Sequence, residues 1–272
     1  MSIEIGDYGI WQRSSDTTPE VAREAEKLGY GALWVGGSPD GRLGEIERLL
    51  DATESLPVAT GIVNMWRSDA STVAASYHRL NERHPGRFLL GVGIGHPEAT
   101  AEYRRPYDTI VEYLDALDAA DVPRDHVILA ALGPRVLELS AQRTAGAHPY
   151  LTTPRHTRMA RQVMGPGPLI ASEQTVIVGS GRDDAAETAR RFVSRYLGLV
   201  NYRTNLLREG WDEDDVANGG SDRLVDELVL RGTAEDIAAG IRAHLDAGAD
   251  HVTIQSLGGD PLASYRALAG VL

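Results

Sequence analysis

The stretch Lys27-Leu28-Gly29-Tyr30-Gly31-Ala32-Leu33-Trp34-Val35 shows the pattern that decides the fold. A segment with helical periodicity stops at Gly29, because glycine readily adopts the left-handed conformation that ends a helix. A short apolar run of strand-forming residues follows at once. The same succession recurs at 119–129, 144–151 and 246–254. Repeated helix, turn and strand indicate βα units and therefore a parallel sheet.

The recurrence extends to eight units over the 272 residues. The predicted strands are 4–10, 31–36, 57–63, 87–93, 126–132, 147–151, 174–179 and 251–256. They are continuous apolar runs, as expected when both faces of a sheet are covered. A (β/α)8 barrel takes about 250 residues. The sequence therefore predicts an α/β fold, a single (β/α)8 (TIM) barrel domain over 1–272, with an open doubly wound sheet as the alternative.

Helices are predicted between the strands and after the last one. Their ranges are 18–28, 43–55, 69–83, 103–120, 134–144, 155–164, 182–197, 233–247 and 261–270. Residues 198–232 are too long for a simple connection, and Ser221-Asp222 is typical of a helix start. We interpret this stretch as a helical insertion between the seventh helix and the eighth strand. It serves either as a lid over a substrate or as packing.

Composition excludes several classes of function. The chain has no cysteine, which excludes disulfides, thiolate catalysis and cysteine-bound metals. Its net charge of −12 makes it a poor general binder of nucleic acid. The eight histidines are scattered without metal-binding spacing, so no metal site is predicted. No membrane span or secretory signal is recognisable, and we expect a cytoplasmic protein.

The active site of such a barrel lies at the carboxyl ends of the strands. The second strand is followed by Gly37 and Ser38, and the third carries Gly61 just before Asn64. The fourth ends in Gly91-Val92-Gly93-Ile94-Gly95-His96. Glycines at these places let a ligand approach the backbone. A lone histidine is more often structural, but the position of His96 at the rim makes it the best acid–base candidate.

The sixth strand leads into Thr152-Thr153-Pro154-Arg155. Thr153 is the predicted N-cap and Pro154 the first helical residue. Free backbone N–H groups, two hydroxyls and an arginine at a helix N-terminus can bind phosphate, although ordinary capping explains the same residues. A mouth with glycines, hydroxyls and few ionisable groups suits a large flat cofactor that supplies the difficult chemistry.

The sequence resembles the luciferase-like monooxygenase class, specifically its actinobacterial F420-dependent oxidoreductases. The resemblance runs over nearly the whole chain and rests on five stretches. They are 28–35, 59–64 (Ala-Thr-Gly-Ile-Val-Asn), 84–96 (His-Pro-Gly-Arg-Phe-Leu-Leu-Gly-Val-Gly-Ile-Gly-His), 130–135 (Ala-Ala-Leu-Gly-Pro-Arg) and 150–154 (Tyr-Leu-Thr-Thr-Pro).

The resemblance implies hydride transfer between the deazaflavin coenzyme F420 and an organic small molecule. An FMN-dependent monooxygenase is the first alternative, and a non-catalytic F420-binding protein is the second. Relatives are often dimers, so a homodimer is also considered.

The resemblance also assigns positions around the cofactor. It implies a cis peptide bond between Gly61 and Ile62 against the deazaflavin ring, with Asn64 at the ring edge. The remaining assignments are Gly93 and Gly95 beside the cofactor, Ala131, Leu132 and Gly133 along its ribityl side, and Thr152, Thr153 and Arg155 at its phosphate.

The chain departs from the class pattern where substrates bind. Some relatives carry an acidic residue and a histidine where this chain has Gly37 and Ser38, and some carry a glutamate where it has His96. A sugar-phosphate substrate is therefore disfavoured. His96 can replace the glutamate as an acid, because an unperturbed histidine titrates near pH 6.5. We assign Gly37, Ser38 and Trp66 to the substrate.

Overall fold

The structure is a computed structural model that describes residues 3–99, 105–179 and 181–272. The strands of the described chain all pair in parallel. They are β1 Tyr8–Arg13, β2 Ala32–Gly36, β3 Val58–Gly61, β4 Val63–Asn64, β5 Phe88–Gly93, β6 Val127–Leu129, β7 Gly146–Ala147, β8 Leu169–Val178, β9 Val229–Gly232 and β10 His251–Ser256.

Helices alternate with these strands. They are α1 Pro19–Lys27, α2 Gly44–Asp51, α3 Ala70–Arg83, α4 Pro106–Ala119, α5 Pro134–Arg143, α6 Pro154–Met164, α7 Arg182–Leu197, α8 Val200–Glu209, α9 Glu213–Val216, α10 Asp222–Leu228, α11 Ala234–Asp246 and α12 Pro261–Ala269. Of the predicted helix 103–120, residues 103 and 104 lie outside the described residues. No helix among the described residues is both long and apolar enough to cross a membrane.

The sheet closes on itself. β10 pairs with β1, where Tyr8 is opposite Val252, and also with β8, where His251 is opposite Ala171. β3 and β4 together occupy one position of the ring, between β2 and β5. Among the described strands, β9 pairs only with the end of β8 and lies outside the ring. Eight positions therefore form the closed parallel barrel that was predicted, and the open sheet is wrong.

Alternation along each strand divides the apolar residues between two layers. Ala32, Trp34, Leu89 and Ile128 belong to a cluster inside the barrel. Their strand neighbours, such as Leu33, pack in the large cluster under the helices. Because both faces are apolar, the strands have the continuous apolar runs seen in the sequence.

Two predicted strands had wrong limits. The first is 8–13 instead of 4–10, because Gly6 turns the chain with a φ of +59°. The seventh begins at Leu169 instead of 174. Its buried residues Ser172 and Glu173 are polar and hid the start of the strand from a search for apolar runs.

Two more strands are shorter than predicted. β6 ends at Leu129 and β7 at Ala147, and the residues after them turn into the wall of the cavity described below. The insertion at 198–232 contains α8, α9 and α10, as expected for a helical segment. Its last four residues form β9 on β8, with Val229 opposite Thr175, which the sequence did not predict.

Candidate active site

A cavity of about 580 Å³ lies at the carboxyl ends of the barrel strands. Small-molecule sites measure about 300–1,000 Å³, so the cavity can hold a cofactor or substrate. Its floor comes from the ends of β1, β3 and β5, and its roof from α7 and α8. The insertion is therefore part of the cavity wall as well as packing.

The cavity brings together most of the predicted site residues. It is lined by Gly37, Ser38, Gly61, Ile62, Asn64, Gly95, His96, Ala131, Leu132 and Gly133. The lining does not include Gly93, Trp66, Thr152, Thr153 or Arg155.

The floor has the cis peptide bond between Gly61 and Ile62 that the resemblance implied. Gly93 supports Ile62 from behind, since a Cβ at Gly93 would lie 3.0 Å from Ile62 Cδ1. Gly95 has a φ of +68°, and a Cβ there would lie 2.4 Å from Asn64 Nδ2. Asn64 Oδ1 in turn accepts a hydrogen bond from the backbone N–H of Trp66 at 2.9 Å. Glycine is therefore required on both sides of this floor.

The first turn of α6 faces a carboxylate. Thr153 caps the helix, accepting from the His156 N–H at 3.4 Å, and its hydroxyl donates to Glu209 Oε2 at 3.0 Å. Arg155 Nη1 donates to the backbone carbonyl of Glu209 at 2.8 Å. Burial raises the pKa of Glu209 to about 7, against the lowering effects of Thr153 and Arg155. The predicted phosphate-binding residues are thus bonded to the insertion, and the Thr152 hydroxyl beside them has no partner among the described residues.

His96 lies on the cavity wall beside the insertion. Its Nδ1 is 3.1 Å from Asn201 Oδ1, and its ring centroid is 5.3 Å from that of Tyr202. Burial lowers the pKa of His96, partly offset by the Asn201 hydrogen bond and the charge of Glu98. The neutral imidazole therefore predominates at neutral pH, and in that form His96 can accept a proton.

Two tyrosines of the roof, Tyr196 and Tyr202, were not singled out in the sequence, and they cluster with Tyr150. The hydroxyls of Tyr150 and Tyr196 are 2.9 Å apart, and the Tyr150 hydroxyl also donates to Gln255 Oε1 at 2.7 Å. Tyr202 packs edge-on against Tyr196, with centroids 5.2 Å apart. The three tyrosines lie in a loop and in two different helices, so no local sequence signal shows that they meet.

Within the described part of the chain, four arginines also line the cavity, namely Arg13, Arg67, Arg135 and Arg195. None of them forms an ion pair with a carboxylate among the residues that the structure describes. The guanidinium of Arg135 lies over the Tyr107 ring, 3.6 Å from its centroid. The four arginines are far apart in sequence. Only the fold shows that this acidic chain concentrates positive charge at the cavity.

A closed parallel barrel with a large cleft at its strand ends is the architecture of a (β/α)8 enzyme. The family model for luciferase-like monooxygenase matches residues 7–251, and the chain belongs to that family of oxidoreductases.

Three known proteins illustrate the similarity. The 5,10-methylenetetrahydromethanopterin reductase of Methanolobus tindarius is 23% identical, with 92% of this chain and 94% of that protein aligned. A solved F420-dependent secondary alcohol dehydrogenase, in complex with an F420–acetone adduct, superposes with a TM-score of 0.77 at 16% identity, covering 98% of each chain. A type II Baeyer–Villiger monooxygenase of Pseudomonas putida in complex with FMN superposes with a TM-score of 0.69 at 13% identity, covering 99% and 96%.

Proposed function

We propose that the protein is an F420-dependent oxidoreductase that transfers hydride between the deazaflavin ring and an organic small molecule. The observation that carries the proposal is the composition of the cavity. Its floor is the Gly61–Ile62 turn, its side is the apolar stretch 130–133, and its lining includes four arginines without described carboxylate partners. An acidic chain gains from such an arrangement only if the ligand is anionic.

The residues present fit this cofactor. Asn64 and Gly95 would lie at the ring edge, and Ala131, Leu132 and Gly133 along the ribityl chain. The arginines would neutralise the cofactor's acidic groups. We propose that the phosphate binds at Thr152, Thr153 and Arg155 once Glu209 has been displaced or protonated. When bound, F420 supplies a ring that accepts or returns a hydride.

The chain's own residues would position the substrate and move a proton. His96 is the proposed proton carrier, accepting through Nε2 while Nδ1 is held by Asn201. Gly37, Ser38 and Trp66 remain the proposed substrate residues, with Trp66 acting from behind the cavity wall. Tyr196, Leu199 and Tyr202 would exclude water, because they cover the cavity from the side of the insertion.

Titration of the purified protein with F420 and, separately, with FMN tests the proposal. We expect F420 to bind and its fluorescence to change on binding. Tight FMN binding without F420 binding would overturn the proposal in favour of the flavin-dependent monooxygenase, for which the FMN-bound structural neighbour is the supporting observation. F420 binding without hydride transfer to or from any member of a broad panel of organic hydride donors and acceptors would leave the non-catalytic F420-binding protein.

A further inference from the structure

Two side chains at the bottom of the cavity have buried polar atoms without partners. Trp11 at the start of the barrel and His148 just after β7 both line the cavity, with only 4% and 2% of their surfaces exposed. Trp11 Nε1 and His148 Nε2 make no hydrogen bond within the described structure. An unsatisfied buried polar atom destabilises the fold, and a ligand that bonds to it accounts for its retention.

The contact made by His148 Nδ1 determines whether Nε2 is a hydrogen-bond donor or an acceptor. Nδ1 lies 2.7 Å from the Ala171 carbonyl oxygen, which can only accept, so Nδ1 carries the hydrogen. Burial lowers the pKa of His148 to about 4, so the ring is neutral at pH 7. Nε2 therefore presents a lone pair to the cavity, whereas the indole N–H of Trp11 is a donor only.

The orientation of both rings is constrained. Trp34 stacks on His148 with centroids 4.4 Å apart and an angle of 24°. Trp34 Nε1 donates to His251 Nε2 at 3.0 Å, which holds the stacking partner in place. The Trp11 ring lies on Gly36, where a Cβ would be 1.9 Å from Trp11 Cζ2.

The two free atoms converge on one place. A Cβ on Gly61 would lie 2.7 Å from Trp11 Nε1 and 3.2 Å from His148 Nε2, so the donor and the acceptor lie within about 6 Å of each other beside Gly61 and can contact the same small group. We propose that Trp11 and His148 together bind the hydroxyl group of an alcohol substrate, whose oxygen accepts from Trp11 and whose hydrogen is donated to His148 until the proton passes to His96 as the hydride is transferred. This inference rests on the proposed function, because it names the substrate class of the same cavity.

The pair selects for a hydroxyl over related groups. A methyl ether or a ketone can accept from Trp11 but has no hydrogen to donate to His148. Each lost hydrogen bond weakens binding by about tenfold. The rival ligand is the edge of the cofactor ring. Its C=O group can accept from Trp11 and its N–H group can donate to His148.

NMR of uniformly ¹⁵N-labelled protein tests the proposal. The chain has four tryptophans, so the Trp11 indole signal is identified by its loss in Trp11→Phe. The probes are 2-propanol, cyclohexanol and benzyl alcohol with their methyl ethers and ketones, each added with and without F420. We expect the alcohols to shift the Trp11 indole N–H and the His148 Nε2 signals, with affinities about tenfold above those of the ethers.

Two variants and one control complete the design. Trp11→Phe keeps an aromatic ring, and His148→Asn keeps a donor for Ala171 while deleting the Nε2 acceptor. Each should weaken alcohol binding about tenfold. Trp211→Phe removes another buried indole N–H without a described partner, outside the cavity lining, and should change nothing.

The outcomes separate the two proposals. If F420 alone produces both shifts and alcohols add none, the pair belongs to the cofactor edge and the inference is wrong while the proposed function stands. If no alcohol shifts either signal up to its solubility, the pair holds at most an ordered water, and the inference is again wrong. If F420 fails to bind but alcohols shift both signals, the proposed function fails and the hydroxyl site survives.

Discussion

The hydroxyl of Thr153 donates a hydrogen bond to Glu209 at 3.0 Å, and so joins the first turn of α6 to the last turn of α8. A helix N-terminus attracts negative charge. Here the insertion supplies that charge from within the chain. A phosphate bound at the first turn of α6 would be repelled by the Glu209 carboxylate unless that group is protonated.

Replacing Glu209 by glutamine should strengthen the binding of F420 about tenfold at pH 8, because it removes a negative charge beside the proposed phosphate site. The pKa of Glu209 is raised to about 7, so the wild-type protein should bind F420 more tightly as the pH falls from 8 to 6. The variant should lose that part of the pH dependence. Calorimetric titration of both proteins at several pH values measures it. Equal F420 affinities of the wild type and the variant at every pH would place the phosphate at the cavity arginines and not at α6.

Arg135→Met should weaken the binding of F420 by about tenfold and reduce its sensitivity to salt, because one of the cavity's cationic groups is lost. Methionine retains packing on Tyr107, which limits structural damage. Arg124→Met is the matched control, since Arg124 is paired with Asp118 at the surface, outside the cavity lining. A loss of affinity in the control as large as in Arg135→Met would show that total charge matters and local charge does not.

His96→Gln should lower the rate of F420 reduction by about 10²-fold while leaving F420 affinity unchanged, because a general base contributes on that scale. The measurement is the loss of F420 absorbance with the best alcohol of the panel. Because burial lowers the pKa of His96, the wild-type rate should decline only as the pH falls below its usual titration range near 6.5. Undiminished activity in the variant would remove His96 from the mechanism.

Four buried histidines should make the protein sensitive to acid. Burial lowers the pKa of His148, His156, His244 and His251 from 6.5 to about 4. Between these values the unfolded chain binds protons that the folded chain excludes. The free energy of unfolding therefore rises with pH across this window, by up to about 1.4 kcal/mol per pH unit for each histidine. Urea unfolding at pH 5 and pH 7 measures the difference.

Glu173 acts in the opposite direction. Burial raises its pKa from 4.5 to about 7, so this group alone loses stabilising effect as the pH rises through that range. Glu173→Gln should therefore make the overall increase in stability between pH 5 and pH 7 steeper than in the wild type. A shallower increase in the variant would contradict the assignment of a raised pKa to Glu173.

The sequence predicted the barrel because its signal is periodic and local. Strands 32–36 and 251–256 and helix 182–197 lie where the pattern placed them, within a residue. The β8 strand was cut short because Glu173 is charged in the sequence but buried in the structure. A search for apolar runs cannot register a polar residue that is satisfied by contacts distant in sequence.

The site divides in the same way. The glycines near His96 lie at one strand end and could be predicted from the local sequence, whereas the cis peptide after Gly61, at another strand end, was implied only by the family resemblance. Trp11 and His148 meet only because the barrel closes, with 137 positions of separation between them in the numbering. Asn201 and Tyr202 reach the cavity through the insertion, whose course has no periodic signal. The homodimer and the location in the cell stay predictions.

The position of α8 has a consequence for engineering. One contiguous segment supplies Leu199, Asn201 and Tyr202 to the cavity, whereas the barrel floor comes from strands scattered over the whole chain. A library restricted to residues 196–209 would therefore change the roof of the cavity and leave its floor intact. Ligand preference and barrel integrity can be varied as separate design variables in this chain.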